Sequence, residues 1–200
     1  MTNSASWNER YAAAELVWSS EPNQFVVQAC SGLRPGRALD LGAGEGRNAV
    51  WLAGVGWTVT AVDFAENAVS RITARAAMEN LKITAIVADA VSYRPEPGSL
   101  ELGLLCYLQL PLGQLRKAIS QVAAGLVEGG RLVVIAHDAS NLNLGYGGPR
   151  DPNLLTSAAQ VSEAMLDAGL RVDRADVRER QVLVDTGFRY ALDHVVVGAR

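Results

Sequence analysis

The stretch RALDLGAGEGRNAVWLA (37–53) decides the architecture: a short apolar run leads straight into Gly42, Gly44 and Gly46, and then into a helical pattern. A strand that turns through glycines into a helix lets a ligand approach bare backbone, and the helix start offers it free N–H groups. Such a loop on its own is weak evidence, because many glycine runs are ordinary turns. The surrounding sequence strengthens it.

Further strand-length apolar runs follow at 58–63 (TVTAVD), 84–88 (TAIVA), 100–107 (LELGLLCY) and 131–137 (RLVVIAH). Helical spacing fills 46–56, 65–80, 112–127 and 157–169, the last opened by Ser157 with Gln160 three residues on, a capping box. Strand, helix, strand repeated in this way predicts a parallel sheet with helices on both faces. The rhythm changes over 171–179 and 189–198, where two strands are joined by turn chemistry at Asp185, Thr186 and Gly187. With no crossover helix available, those two must pair antiparallel. Residues before 37 read as two short helices, about 6–16 and 22–32, the second opened by Pro22.

Composition narrows the function. Of 200 residues 49% are apolar and 20% charged, which suits one globular domain with a core large enough to need neither disulfides nor metals. A net charge of −3 argues against nucleic acid as the partner. The densest basic stretch, Arg171, Arg174, Arg178 and Arg180, alternates with Asp173, Asp176 and Glu179 and reads as a solvated face. No apolar run is long enough to span a membrane, and the first residues have no secretory pattern. Cys30 and Cys106 lack metal-like spacing, so a cytoplasmic protein with reduced thiols is expected. Arginine far outnumbers lysine, which fits a bacterial genome rich in G and C. A monomer or a homodimer is equally compatible.

Two acids follow the loop at the ends of successive strands. Asp63 is placed to accept from both hydroxyls of a ribose, and Asp89, followed by Ala90, to accept from an adenine amino group. A dinucleotide loop wants G-x-G-x-x-G, whereas here the third glycine comes one residue early and Arg47 follows. With Asp40 in front, D-x-G-x-G-x-G (40–46) resembles the S-adenosylmethionine (SAM) site of class I methyltransferases. That resemblance implies an α/β, Rossmann-like three-layer sandwich, its seven-stranded sheet mostly parallel with one antiparallel strand near the C-terminus. It also implies that Asp40, Gly42, Gly44 and Gly46 hold the amino-acid end of SAM, Asp63 the ribose, and Asp89 and Ala90 the adenine. Phe64 would pack on the adenine face, Cys106 would lie beside the cofactor, and Arg10 would meet the SAM carboxylate. WNERY (7–11), VWSSEPN (17–23) and GEGRNAVWLA (44–53) look like small bacterial methyltransferases of the tellurite-resistance-protein-B and thiopurine methyltransferase-like groups. The whole chain would then be one methyltransferase domain, with 1–36 a helical lid segment and 37–200 the SAM-binding core.

Within that class, CYLQLP (106–111) lacks the Asn/Asp-Pro-Pro-aromatic turn of amino-methyltransferases, and Cys106 lacks the preceding proline of cytosine-C5 enzymes. Cys106 reads best as a buried strand thiol. His137 and Asp138 do not make an acidic metal cluster, so no metal is expected. A small-molecule acceptor remains. His137, at the end of the fifth strand, is the candidate general base, with Asp138 orienting it or capping the loop. His194 reads as structural. The loop 138–156 offers Tyr146 and Arg150 to an acceptor, and Trp7, Tyr11, Trp18 and Tyr107 complete the wall. Two alternatives stay open: a nicotinamide-dependent oxidoreductase on the same sheet, and a SAM-binding protein without catalysis.

Overall fold

A computed structural model describes residues 21–185 and 187–200. The helix expected over 6–16, with Trp7, Arg10, Tyr11 and Trp18, lies outside the described residues. Seven strands form one sheet in the order β3-β2-β1-β4-β5-β7-β6. Five are parallel: β1 (Arg37–Leu41), β2 (Thr58–Asp63), β3 (Ile83–Val87), β4 (Leu100–Cys106) and β5 (Leu126–His137). β6 (Arg171–Val184) and β7 (Gly187–Ala199) close the chain, and β7 runs antiparallel to both of its neighbours. The single reversed strand is therefore where the sequence indicates, one position in from the edge.

Side-chain alternation along each strand feeds two cores. Leu39 and Leu41 of β1, with Leu105, Leu132 and Val134, pack under helices α4 (Leu112–Gly125) and α5 (Ala158–Asp167). Ala38, Leu102, Leu104 and Ile135 face the other way, under α1 (Gln24–Cys30), α2 (Arg47–Gly54) and α3 (Glu66–Met78). Phe25, Val26 and Cys30 of α1 are buried in that second core. The later part of the expected lid segment is thus a structural layer.

Four local readings need correction. Asn23, not Pro22, opens α1: its side chain accepts from the amides of Phe25 and Val26, leaving Pro22 before the cap. Between β3 and β4 the alternation calls for a helix and there is none, because Pro95, Pro97 and Gly98 interrupt the segment. Gln121 of α4 holds this crossover instead: with its amide turned so that nitrogen rather than oxygen faces the carbonyls of Val91 and Tyr93, it donates to both at 3.1 Å. The uncovered sheet leaves a recess of about 280 Å³ beside Arg37, Thr58 and Thr60, at the amino ends of the strands. β5 begins at Leu126 and its ladder with β4 jumps from Leu100↔Leu126 to Leu102↔Arg131. The loop 138–156 is not featureless: it holds a helical turn (Asn141–Leu144) and a 3-10 turn (Pro152–Leu154), and bridges Asp138 to Thr156. The α5 capping box is present as read, with Ser157 and Gln160 satisfying each other's backbone.

Gly103 of β4 marks where α4 comes closest to the sheet. A Cβ built there would lie 2.3 Å from Val122 Cγ1 and 3.1 Å from Leu132 Cδ1. Gly103→Ala should therefore cost about 1–3 kcal/mol by overpacking, read as a lower urea midpoint at unchanged slope; an unaltered midpoint would refute this packing.

Candidate cofactor and acceptor site

The glycine loop is stitched to the neighbouring strand before any ligand arrives. The amides of Gly42 and Ala43 both donate to the carbonyl of Val62, at 2.8 and 3.0 Å. Gly46 caps α2 in the left-handed region (φ 79°), and a Cβ there would lie 2.7 Å from Ile72 Cγ1. Glu45 pairs with Arg71, which ties the loop to α3.

Two acids lie under this loop. Asp63 is buried, and its two carboxylate oxygens accept from the amides of Gly44 (2.8 Å) and Ala65 (2.9 Å). Burial pushes its carboxyl above the ordinary range while those amides pull it back. Each oxygen keeps acceptor capacity for a further donor such as a hydroxyl. Asp40 is more deeply buried, and among the described residues neither of its oxygens has a well-formed hydrogen bond, the Ala49 amide approaching without completing one. Burial, with the Asp63 charge adding to it and Arg47 opposing, raises its carboxyl to about 7. An orphaned buried carboxylate beside a tight glycine cradle is a site for a cationic group, and the amino-acid end of a sulfonium cofactor fits it.

The other cofactor candidates line the same edge. Phe64 is half-buried against Ala65 and Ala68. Asp89 is exposed, two residues beyond β3, with one oxygen accepting from the amide of Val91 at 2.8 Å. Ala90 is buried beside it. Cys106 ends β4 as a buried thiol, pushed up to about 12 chiefly by burial, so it is not a nucleophile.

Beyond Cys106 the structure assembles a polar cluster. Tyr107 has a positive φ of 56°, uncommon for a bulky residue, and its hydroxyl donates to Asp193 Oδ2 at 2.6 Å. Arg180 Nε donates to that same oxygen at 2.7 Å and to the Tyr107 hydroxyl at 3.0 Å, and Asn23 Nδ2 approaches the hydroxyl at 3.3 Å. The ring of His137 lies 5.1 Å from that of Tyr107, and its Nδ1 is 3.0 Å from Asp193 Oδ1. Burial opposes the ionised form of Asp193, but His137, Tyr107 and Arg180 together hold its carboxyl below the usual range. Burial, with Asp193 adding to it, drives Tyr107 far above its ordinary value, so it is a donor and not a base. Arg47 sits in the first turn of α2, where the helix dipole disfavours a cation, with its guanidinium 6.0 Å from the Tyr107 ring.

Tyr107 and His137 are thus brought together as expected, but other readings change. Asp138 does not orient His137. It caps its own loop, accepting from the amide and hydroxyl of Ser140, and Asp193 takes the place beside the imidazole. Arg180 does not belong to a solvated face: it is three-quarters covered against Tyr107 and Asp193, whereas Arg171, Arg174 and Arg178 do pair with their surface acids. His194 is structural, buried and bonded to the Thr156 carbonyl at 3.1 Å. Tyr146 and Arg150 are exposed, and from their loop Gly148 packs on the His137 ring. Asp193 escaped sequence reasoning because it faces His137 only through the β5–β7 register, where the two residues are direct partners. No group of three or more metal-ligating side chains occurs among the described residues.

A glycine cradle over two buried acids, on a sheet of this order with one reversed strand, defines the Rossmann-like methyltransferase fold. The particular family follows from comparison: the family model described as tellurite resistance protein TehB matches residues 10–143, more than half of the chain, and the chain belongs to that family. A relative from Haemophilus influenzae named "Probable S-adenosyl-L-methionine-dependent methyltransferase TehB" is 38% identical over 64 residues, 32% of this chain and 22% of the relative. The chain thus matches about a fifth of the length of that curated relative. The crystal structure of TehB from Haemophilus influenzae superposes with a TM-score of 0.74 at 18% identity, over 98% of this chain and 66% of that one. A structure from work on the conversion of a disulfide bond into a thioacetal group during echinomycin biosynthesis reaches the same TM-score at 20% identity, over 90% and 82%. No helix among the described residues is long and apolar enough to cross a membrane.

Asp40 makes a stability prediction. The folded protein retains its proton up to about 7, whereas the unfolded chain releases it near 3.8. Between those values the unfolded state binds fewer protons, so this group lowers stability as pH rises through the window. Without cofactor, Asp40→Asn should melt close to wild type near pH 4 and above it at pH 8. Parallel melting curves across that range would contradict the orphaned state of Asp40.

Proposed function

We propose that the protein transfers the methyl group of SAM to a small-molecule acceptor by metal-free in-line displacement, releasing S-adenosylhomocysteine. The observation that carries this reading is Asp40, a buried carboxylate with two unpartnered oxygens beside a glycine cradle. When bound, SAM supplies an electrophilic methyl group on a cationic sulfur. The chain has to hold the partners in line and exclude water.

In this reading Asp40 and the loop at Gly42, Gly44 and Gly46 hold the amino-acid end, and Asp63 accepts from the ribose hydroxyls. Asp89 and Ala90 meet the adenine, which Phe64 covers, and Cys106 forms the floor. Tyr107 and His137 face the acceptor, with His137 as the base and Tyr146 and Arg150 on the overlying loop. Arg180 joins them, its Nε fixed by Tyr107 and Asp193 and its guanidinium 5.7 Å from the Tyr107 ring centre. Arg10, Trp7, Tyr11 and Trp18 precede the described residues and complete the enclosure as a lid. Asn23, which reaches the Tyr107 hydroxyl, supports that role, because the segment leads into the chain there.

Thermal unfolding with SAM, S-adenosylhomocysteine and NAD⁺ tests the cofactor. At 100 times its Kd a ligand stabilises by about 2.7 kcal/mol, a rise of roughly 5–10 °C for a chain of this length. The expected rise occurs with SAM and S-adenosylhomocysteine only and disappears in Asp63→Ala. A rise with NAD⁺ instead would overturn the proposal. Removing residues 1–20 should leave the melting transition cooperative and weaken SAM binding; unchanged affinity would sink the lid.

A further inference from the structure

We propose that Arg47 binds the carboxylate of the cofactor's methionine moiety while Asp40 takes its ammonium, so that the two flanks of the glycine loop form a clamp for an amino-acid zwitterion. This rests on the SAM reading of the site and adds to it the residue that recognises the carboxylate.

The start of α2 concentrates positive charge that its own turn does not neutralise. Gly46 caps the helix and has no side chain to accept from the first amides, and no acid stands in the first turn. Val50 is the first residue whose amide donates back to the cap, through the Gly46 carbonyl. The amides before it face out of the helix end, and among them that of Ala49 approaches Asp40 without completing a hydrogen bond. Onto this end the sequence adds a guanidinium, against the helix dipole. Arg47 is half-buried, with its guanidinium 6.0 Å from the Tyr107 ring. It acts through space on Asp40 and Cys106, and it forms no hydrogen bond or ion pair with any described residue. Five N–H donors are thus held in a partly covered place without an acceptor.

Asp40 is the opposite case on the other flank of the loop: a fully covered carboxylate in want of a donor. The two charges attract one another without closing into a salt bridge, so each keeps its hydrogen-bonding capacity. A lone cation at Asp40 would leave Arg47 unsatisfied, and a lone anion at Arg47 would leave Asp40 unsatisfied. A ligand with an ammonium and a carboxylate on one carbon answers both, the carboxylate meeting the guanidinium and the outward amides together. Arg180, 5.7 Å from the same tyrosine ring, is engaged by Asp193 instead. The two guanidiniums beside Tyr107 therefore answer to different carboxylates.

Decarboxylated SAM, which keeps the ammonium and lacks the carboxylate, separates the halves of this clamp. Titration calorimetry of the full chain with SAM and with decarboxylated SAM reads them in turn. The wild type should bind SAM about 10–100-fold more tightly than decarboxylated SAM, the worth of a hydrogen-bonded charge. Arg47→Met should lose that factor for SAM and less than about threefold for decarboxylated SAM. Arg47→Lys should recover part of the loss, and Asp40→Asn should weaken both ligands alike. Equal losses for the two ligands in Arg47→Met would overturn the proposal. So would an intact SAM affinity with only the acceptor KM raised, which would give Arg47 to the acceptor, or a carboxylate-dependent loss found in Arg10→Met and not in Arg47→Met. If Arg47→Met fails to fold, a wild type without preference between the ligands overturns it alone. A wild type that binds neither ligand would instead remove the SAM reading beneath it.

Discussion

The reversed pairing of β7 is the constraint on which the acceptor side of this molecule depends. In the parallel strands, residues at the mouth of the site are the last of their strand, as His137 is for β5. β7 arrives from the opposite direction, so it meets β5 first at the mouth, with Asp193 opposite His137, and only then descends to Ala199 opposite Arg131. Before that point β6 is the only strand beside β7, from Gly187 opposite Val184 to Leu192 opposite Glu179. The loop after β5 covers its other edge through the amides of Asp138 and Tyr146, which donate to the carbonyls of Leu192 and Tyr190. A two-stranded arm therefore stands beyond the edge of the sheet. Arg180 is on that arm, two residues along β6 from the partner of Asp193 and on the same face. A parallel seventh strand would bring its far end to the mouth and could supply neither group from this arm.

The two most consequential carboxylates are buried alike and held in opposite states. Asp193 has an aromatic hydroxyl, a guanidinium and an imidazole around it, and these outweigh the cost of desolvation. Asp40 has the pull of Arg47 and of the Ala49 amide against burial and a second acid, and desolvation wins. The difference separates their functions. A carboxylate with one oxygen committed to two donors and the other set against an imidazole is held in place by its neighbours. An unengaged one retains an unmet electrostatic demand, which a cationic ligand satisfies on arrival. In the proposed reading the unmet demand lies at the cofactor side and the engaged carboxylate at the acceptor side.

Much of this was legible in the sequence because period and punctuation are local. The strands carrying Asp40 and Asp63 match their apolar runs, the glycine loop turns where its glycines fall, and Ser157 with Gln160 makes the cap it spells. What was not legible depends on register or on competition. Asp193 and Arg180 look like surface charges in a strand of alternating acids and bases, and only the pairing of three strands reveals their partner. Asp138, adjacent to His137 in sequence, is the natural guess for an orienting acid, yet neighbours along a strand point to opposite faces. The absent crossover helix was the exception: Pro95, Pro97 and Gly98 stated it locally, and the alternation of elements overrode them.

Tyr107 joins these levels. A tyrosine in the left-handed region costs on the order of 1–3 kcal/mol and persists only where its surroundings over-determine it. Here the hydroxyl is approached from three distant parts of the chain: Asn23 before the first described helix, Arg180 on the arm, and Asp193 at the mouth of the reversed strand. The strained residue is the junction at which the start of the described chain and its C-terminal hairpin meet. The same junction abuts His137 and lies one residue from the buried thiol at the cofactor edge. A shift in any one of the three supports would relax the backbone at Tyr107 and move the imidazole with it. The geometry of the proposed acceptor site is therefore set by contacts remote in sequence, whereas that of the proposed cofactor site is set by two consecutive strand ends and the loop between them.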